Sequence, residues 1–401
     1  MKHYDLLIVG AGPAGSFAAD LLAKGGASVA LFDGRPEGEP KACGGGVTAK
    51  ALKAWPQLLN AVGRTIHELD LYSPSSKKLH LELEEPFAIY SRIAFDCYLR
   101  DRARDAGAHV ISTKISARKI ERAEHGWRLK SDSGNEWQGS LLIAADGANS
   151  GIAKMLAGKL PPSDMEVAFG YRAPLPSNGT APTVVAFLPG WVGYAWAFPR
   201  PDHISFGIAT TQDAFEHEPL DDLLWRFMIG YYHQSEGAKV NFWEDTDTTA
   251  TARIRAHLDS TAERYAARIP GLAAETWDQR TTCGDDWALL GDAAGFADPV
   301  TGEGIYYALR SAELLAQAYV SGDFCSYEQL WRADFGAELR RAAQMRRRFY
   351  GNFWGAPFTE RMIEFARGHR GVKRVLGDLV AGEQGYTDLK KKLVKSALRP
   401  V

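Results

Sequence analysis

Apolar and polar positions change their period several times along the chain, and each change marks an element. DLLIVG is almost wholly apolar, the pattern of a strand buried on both faces. It runs into GAGPAG and then into SFAADLLAKGG, a helical stretch closed by Gly25 and Gly26. ASVALFD predicts a second strand ending at Asp33, and a glycine-rich loop centred on KACGGGV follows. From about Thr65 to Ile89 apolar and polar residues alternate, which predicts antiparallel strands. FDCYLRDRARDAG predicts a helix and HVISTKI a strand; GWRLKS and EWQGSLLIAAD predict two more strands, ending in DGANS. Between about residues 165 and 275 aromatic-rich strands appear without strand–helix alternation, which predicts a second domain on an antiparallel sheet. Strand, turn and helix return at WALLGDAAGFADP and GEGIYYALRSAELLAQAYV, and the stretch beyond Asp323 reads as helical, aromatic and basic. There is no internal repeat or low-complexity segment.

Composition narrows the class without naming it. With 401 residues, 45% hydrophobic and 24% charged, the chain has the averages of a soluble globular protein. No apolar run reaches the ~18 residues of a membrane span. The apolar stretch Tyr4 to Val9 leads straight into the glycine turn, which argues against a cleaved secretory signal. Cys43, Cys97, Cys283 and Cys325 are widely spaced, with no CxxC pair and no histidine cluster. That spacing excludes a zinc site of the usual kind, argues against a disulfide framework, and points to the cytoplasm. The net charge of -2 hides an asymmetry: residues 340–401 hold fifteen lysines and arginines against five acids. Such a basic, aromatic tail suits either contact with the inner face of an anionic membrane or a solvated helical cap; no basic patch of nucleic-acid-binding type is seen.

Gly10, Gly12 and Gly15 carry the first chemistry. Gly10 allows a tight turn out of the strand, Gly12 lets backbone approach a pyrophosphate, and Gly15, beside Ala14, lets the helix pack closely on the strand. The helix N-terminus offers free N–H groups and a positive dipole end, and Asp33 at the next strand end is placed to bind a ribose hydroxyl pair. The pattern implies a dinucleotide and does not separate NAD from FAD.

LLGDAAGFADPVTGEGI, Leu289 to Ile305, resembles the FAD-dependent hydroxylase and reductase superfamily typified by para-hydroxybenzoate hydroxylase. That resemblance implies FAD, with Asp292 on the ribityl chain and the backbone of Gly302, Gly304 and Ile305 against the pyrimidine edge of the flavin. ADGANS resembles the second conserved turn of the group and places Asp146 in it. SRIAFDCYL resembles the start of its third helix, whose arginine, here Arg92, reaches the cofactor; the strand end at Ile115 resembles the segment that meets adenine.

Two further segments resemble the geranylgeranyl reductases, which saturate carbon–carbon double bonds of prenyl chains. KACGGGVT matches their KxCGGG loop, placing Cys43, Gly44 and Gly46 over the cofactor, and GYAWAFP matches their YxWxFP strand with Tyr194, Trp196 and Phe198. On a strand these three side chains share one face while Ala195 and Ala197 leave the other flat, an arrangement suited to a long apolar substrate or to a packed aromatic core. Tyr307 either borders the pocket or packs in its helix. Cys43 is the candidate catalytic residue, as proton donor, redox partner or gating thiol, or else a small residue filling space.

The expected architecture is α/β: a Rossmann-type FAD-binding domain from residues 1–68, 90–164 and 278–325, an inserted antiparallel-sheet substrate domain from 69–89 and 165–277, and a helical C-terminal region, 326–401. The resemblance implies hydride transfer to one alkene carbon and protonation of the other. There is no second GxGxxG, so the reductant is either NADPH docking transiently or an external electron donor. The alternatives are an FAD-dependent aromatic monooxygenase, a flavin-dependent halogenase and a non-enzymatic flavin carrier.

Overall fold

The computed structural model describes residues 2–36, 38–39, 41–177, 180–211, 219–245, 248–353 and 355–397. The chain divides into two compact units: Met1–Lys41, Arg92–Met165 and Ile269–Ala343 form the first, and Ala42–Ser91, Glu166–Arg268 and Gln344–Val401 the second. The expected domain boundaries give 42–68 to the cofactor domain and 326–343 to a separate C-terminal region. In the structure the former fall in the second unit and the latter in the first.

The first unit is built on a mainly parallel sheet. Its central order is Trp287–Leu289, Glu136–Ala144, His3–Val9, Val29–Phe32 and His109–Ile111, all parallel. Within His3–Val9 the apolar run Leu6–Val9 is buried on both faces, as its composition requires. The hairpin Ile120–Arg122 and Trp127–Lys130 pairs with the first half of Glu136–Ala144, and Trp287–Leu289 pairs with its second half. HVISTKI is strand only to Ile111, because Thr113 N–H donates to the Ile111 carbonyl and turns the chain away. Helices Pro13–Lys24, Arg92–Asp105 and Ile305–Val320 belong to this unit. At Gly291 an added Cβ would lie 3.2 Å from both Ala14 and Ala308, so the first and last of these helices approach that turn closely.

The second unit carries an eight-stranded sheet in the order Glu263–Pro270, Met165–Ala173, Ile204–Thr211, Gly193–Pro199, Val184–Phe187, Gly63–Tyr72, Lys78–Tyr90, Gly46–Val47. It is not antiparallel throughout, because Val184–Phe187 runs parallel to Gly63–Tyr72. The sequence reading also missed two helices, Leu220–Ser235 and Thr249–Thr261. Leu223, Leu224, Phe227, Met228, Tyr231 and Tyr232 are all buried and recur at helical spacing, so a helical period, not strand propensity, decides this aromatic segment. These side chains cover one face of the sheet together with Ala195, Ala197, Phe206 and Ile208. The C-terminal part adds helices Phe358–Gly368 and Arg370–Val380, both in contact with Lys78–Tyr90, and then Leu389–Ala397.

Candidate functional site

In the first unit the glycine turn is shaped by contact. A Cβ at Gly10 would sit 2.3 Å from the Ala145 carbonyl oxygen and one at Gly15 1.9 Å from the Gly10 oxygen, whereas one at Gly12 would meet nothing within 4 Å. Gly10 and Gly15 are therefore packing glycines, and Gly12 leaves an open face. Helix Pro13–Lys24 starts with no side-chain cap and no acid in its first turn, and Ile305–Val320 starts the same way after Gly304. Helix starts of this kind leave amide donors for an anion.

The cations lie around one carboxylate. Arg92 donates to Asp96 through Nε and Nη2, each at 2.9 Å, and Arg35 Nη2 donates to the same carboxylate at 3.0 Å. Burial opposes ionisation of Asp96, but Arg92, Lys41 and Arg35 together hold its carboxyl below the ordinary range. Sequence reasoning selected Arg92, placed Lys41 only as the first residue of the KxCGGG loop, and missed Arg35. Asp33 accepts from Arg100 at 2.8 Å and from the Arg35 amide at 3.2 Å, and a carboxylate has further lone pairs for a ribose hydroxyl. Gly34 lies against Lys114, where an added Cβ would be 3.0 Å from the Lys114 Cα, so the strand end at Asp33 adjoins the segment holding the buried Ile115.

Asp146 follows Ala145 behind the glycine turn, and its Oδ1 is buried without a hydrogen-bond partner. Burial pushes its carboxyl above the usual value, against the Ser150 hydroxyl and the amides of Gly151 and Ile152. Asp292 lies in the turn Gly291–Ala293, with Oδ1 3.1 Å from where a Gly304 Cβ would stand. The loop before Ile305 is held by Asp298, which sequence reading passed over. Asp298 Oδ1 accepts from the amides of Val300 (2.7 Å) and Thr301 (3.2 Å), and its backbone pairs with Gly302 and Glu303. The readable signal is the turn chemistry of DPVTG, an aspartate bonding the amide two residues on. Gly302 has φ +69, a left-handed position suited to glycine. Tyr307 is 6% exposed and packs edge-on against Phe335.

The second unit holds the cysteine loop and the aromatic strand. Gly46 and Val47 pair with Ile89 and Ala88, and the Gly45 amide donates to Cys43 Sγ at 3.3 Å. A Cβ at Gly44 would lie 3.2 Å from both Trp196 Nε1 and Phe198, so the loop rests on the aromatic row. Tyr194, Trp196 and Phe198 share one face, with ring centroids 6.0 and 6.4 Å apart in succession. Trp196 lies across Gly207, where a Cβ would come within 2.0 Å of its ring. Its Nε1 is buried without a partner. Strand register continues this face through Val185 to Leu71 and Leu79. The face bearing Ala195 and Ala197 is not a substrate surface, because it is buried beneath Leu220–Ser235. A cavity of about 250 Å3 beside that helix is lined by Asp222, Arg226, His233, Asp245 and Arg255 among others, and contains none of the expected site residues.

Comparison with known proteins gives these features a class. The chain belongs to the FAD binding domain family, which matches residues 3–320, and it is an FAD-dependent oxidoreductase. It is similar to the chloroplastic geranylgeranyl diphosphate reductase of Oryza sativa subsp. japonica, 29% identical over 348 residues, covering 80% of this chain and 67% of that one. Among solved structures, a geranylgeranyl bacteriochlorophyll reductase-like protein from Thermoplasma acidophilum superposes with TM-score 0.74 at 22% identity, covering 99% of this chain and 100% of the other. The flavin-dependent brominase Bmp2 superposes with TM-score 0.67 at 20% identity, covering 98% and 99%. At such identities the two structures establish the fold alone.

The residues present fit FAD. Gly12 leaves room where a pyrophosphate would lie, two helix starts carry neither a side-chain cap nor an acid in the first turn, and Arg35, Lys41 and Arg92 outnumber the single charge of Asp96.

Proposed function

We propose that the protein reduces carbon–carbon double bonds of a prenyl or similarly long apolar chain. The observation that carries this reading is the seating of the Cys43–Gly46 loop on Trp196 and Phe198, which joins the two reductase-like segments in one site. FAD, when bound, supplies the hydride equivalent, with NADPH as the reductant. Asp33 and Asp292 would hold hydroxyl groups of the cofactor, while the amides after Gly12 and Gly304 and the Arg35–Lys41–Arg92 cluster would meet its charged and polar edges.

The protein's own work is positioning. The aromatic row offers an apolar, aromatic surface that desolvates an alkene chain, and an isolated alkene is a poor hydride acceptor that gains most from orientation and water exclusion. Hydride adds to one alkene carbon and a proton to the other, so the product gains two hydrogens and no oxygen. Cys43 is the candidate for contact with the reacting chain. Burial pushes the Tyr265 hydroxyl up to about 12, so it stays a neutral donor at neutral pH. The basic C-terminal segment brings the enzyme to an anionic lipid surface from which such chains are drawn.

The test is anaerobic incubation of dithionite-reduced holoenzyme with geranylgeranyl diphosphate or a geranylgeranylated lipid. Flavin reoxidation should accompany a product heavier by two hydrogens in mass spectrometry. Oxygen-dependent hydroxylation of an aromatic compound, with no prenyl turnover, would replace this reading by the monooxygenase one.

A further inference from the structure

The cysteine loop contains three consecutive glycines, and such a run has little conformational preference of its own. One end is fixed by the ladder of Gly46 and Val47 on Ile89 and Ala88, and Tyr90 N–H donates to the Gly45 carbonyl at 2.9 Å. Cys43 and Gly44 lie beyond this ladder. Their carbonyls are bound by a side chain from far along the chain: Arg200 Nη2 donates to Cys43 O at 2.8 Å and to Gly44 O at 3.0 Å. Arg200 is only 4% exposed and follows directly on the aromatic strand Gly193–Pro199. Its own backbone is fixed by a tight turn, in which Arg200 N–H donates to the His203 carbonyl at 2.7 Å. Ser205 Oγ adds a longer bond to Cys43 O at 3.4 Å and pairs with the Tyr265 hydroxyl at 2.9 Å.

We propose that Arg200 is the positioning residue of the cysteine loop: its guanidinium, anchored at the end of the aromatic strand, sets where Cys43 Sγ and the Gly44 backbone stand over Trp196 and Phe198. A charged donor bonding two successive carbonyls fixes both position and orientation, which a single neutral bond does not. Gly45 is shaped to the same contact. It has φ +82, and a Cβ there would come 2.8 Å from Arg200 Nη2 and 2.3 Å from the Tyr90 carbonyl oxygen. Both bonds leave Nη2, whose direction the guanidinium plane holds; a lysine ammonium has donors for both carbonyls but lacks that plane and fixes the loop less firmly. The role of this latch in turnover rests on the reductase reading; the latch itself does not.

The experiment measures alkylation of Cys43 by iodoacetamide in a Cys97→Ser/Cys325→Ser background, which removes the two exposed thiols. Peptide mapping by mass spectrometry assigns the label to Cys43 rather than to Cys283, whose thiol burial pushes up to about 12. Arg200→Gln should raise the Cys43 alkylation rate about tenfold, the scale expected when a charge-assisted bond is lost, with an intermediate rise for Arg200→Lys. In turnover, kcat should fall by a similar factor while KM changes little, again with partial rescue by lysine. A Cys43 rate within twofold of the parent in either variant overturns the latch, and a faster thiol with unchanged kcat overturns its positioning role. If Arg200→Gln does not fold, Arg200→Lys and Ser205→Ala carry the same comparison, each with a smaller expected rise. Alkylation needs no substrate, so a failure of the reductase reading leaves this result readable.

Discussion

A buried carboxylate that holds more than one arginine is a pH-dependent joint, and Asp96 is one. Its pKa lies below 3.8, so its contribution to stability is present above that value and lost as pH falls through the lowered one. Asp96→Asn should therefore destabilise the protein by about 3 kcal/mol at pH 7, measured by urea unfolding, because Arg92 and Arg35 lose a buried counter-charge. The penalty should shrink as pH drops below 3.8. Asp146 acts in the opposite sense: its raised pKa means that burial costs stability at neutral pH, a cost relieved as pH falls through the raised value. Arg92 and Asp96 were legible as one short stretch of sequence. Arg35 was not, because it stands 61 residues from Asp96 and carries no motif.

At the scale of elements, local pattern was most reliable where the backbone has a single solution. Strand His3–Val9, the turn and helix Pro13–Lys24 follow from an apolar run, three glycines and a proline at the helix start. Gly15→Ala should test that solution, since its Cβ would overlap the Gly10 carbonyl oxygen at 1.9 Å. We expect a loss of about 1–3 kcal/mol, as for an overpacked core, and purified protein with little flavin absorbance near 450 nm. Retained flavin at parental stoichiometry would show that the helix start can shift without cost to the cofactor. The aromatic segment Leu220–Ser235 misled because tryptophan, phenylalanine and tyrosine favour strands in general. The burial of successive i, i+4 positions against the sheet overrode that preference.

At the scale of the whole molecule, each unit gathers three separate stretches of chain, so sequence neighbours such as Lys41 and Ala42 fall in different units. Among the described residues no helix is long and apolar enough to cross a membrane. The last helix, Leu389–Ala397, bears Lys390, Lys391, Lys392 and Lys395 with Val394 53% exposed, and Phe365 is 47% exposed on Phe358–Gly368. If this segment meets lipid, replacing the four lysines by glutamine should weaken co-sedimentation with phosphatidylserine vesicles about 100-fold or more at low salt. Equal binding of parent and variant would reject membrane contact through this helix.

Sequence by itself determined the glycine turn, the Asp292 turn, the α/β class and the family, because those features are set by backbone geometry within a few residues. It also showed that Tyr194, Trp196 and Phe198 share a face, since strand alternation is a local rule. Which face of that strand is buried beneath a helix, and what lies on the other, was decided only by the fold. The bond from Arg200 to Cys43 spans 157 residues, and that from Arg35 to Asp96 spans 61. Such contacts depend on the register of strands and the packing of helices between their ends, and no periodicity in the chain encodes them.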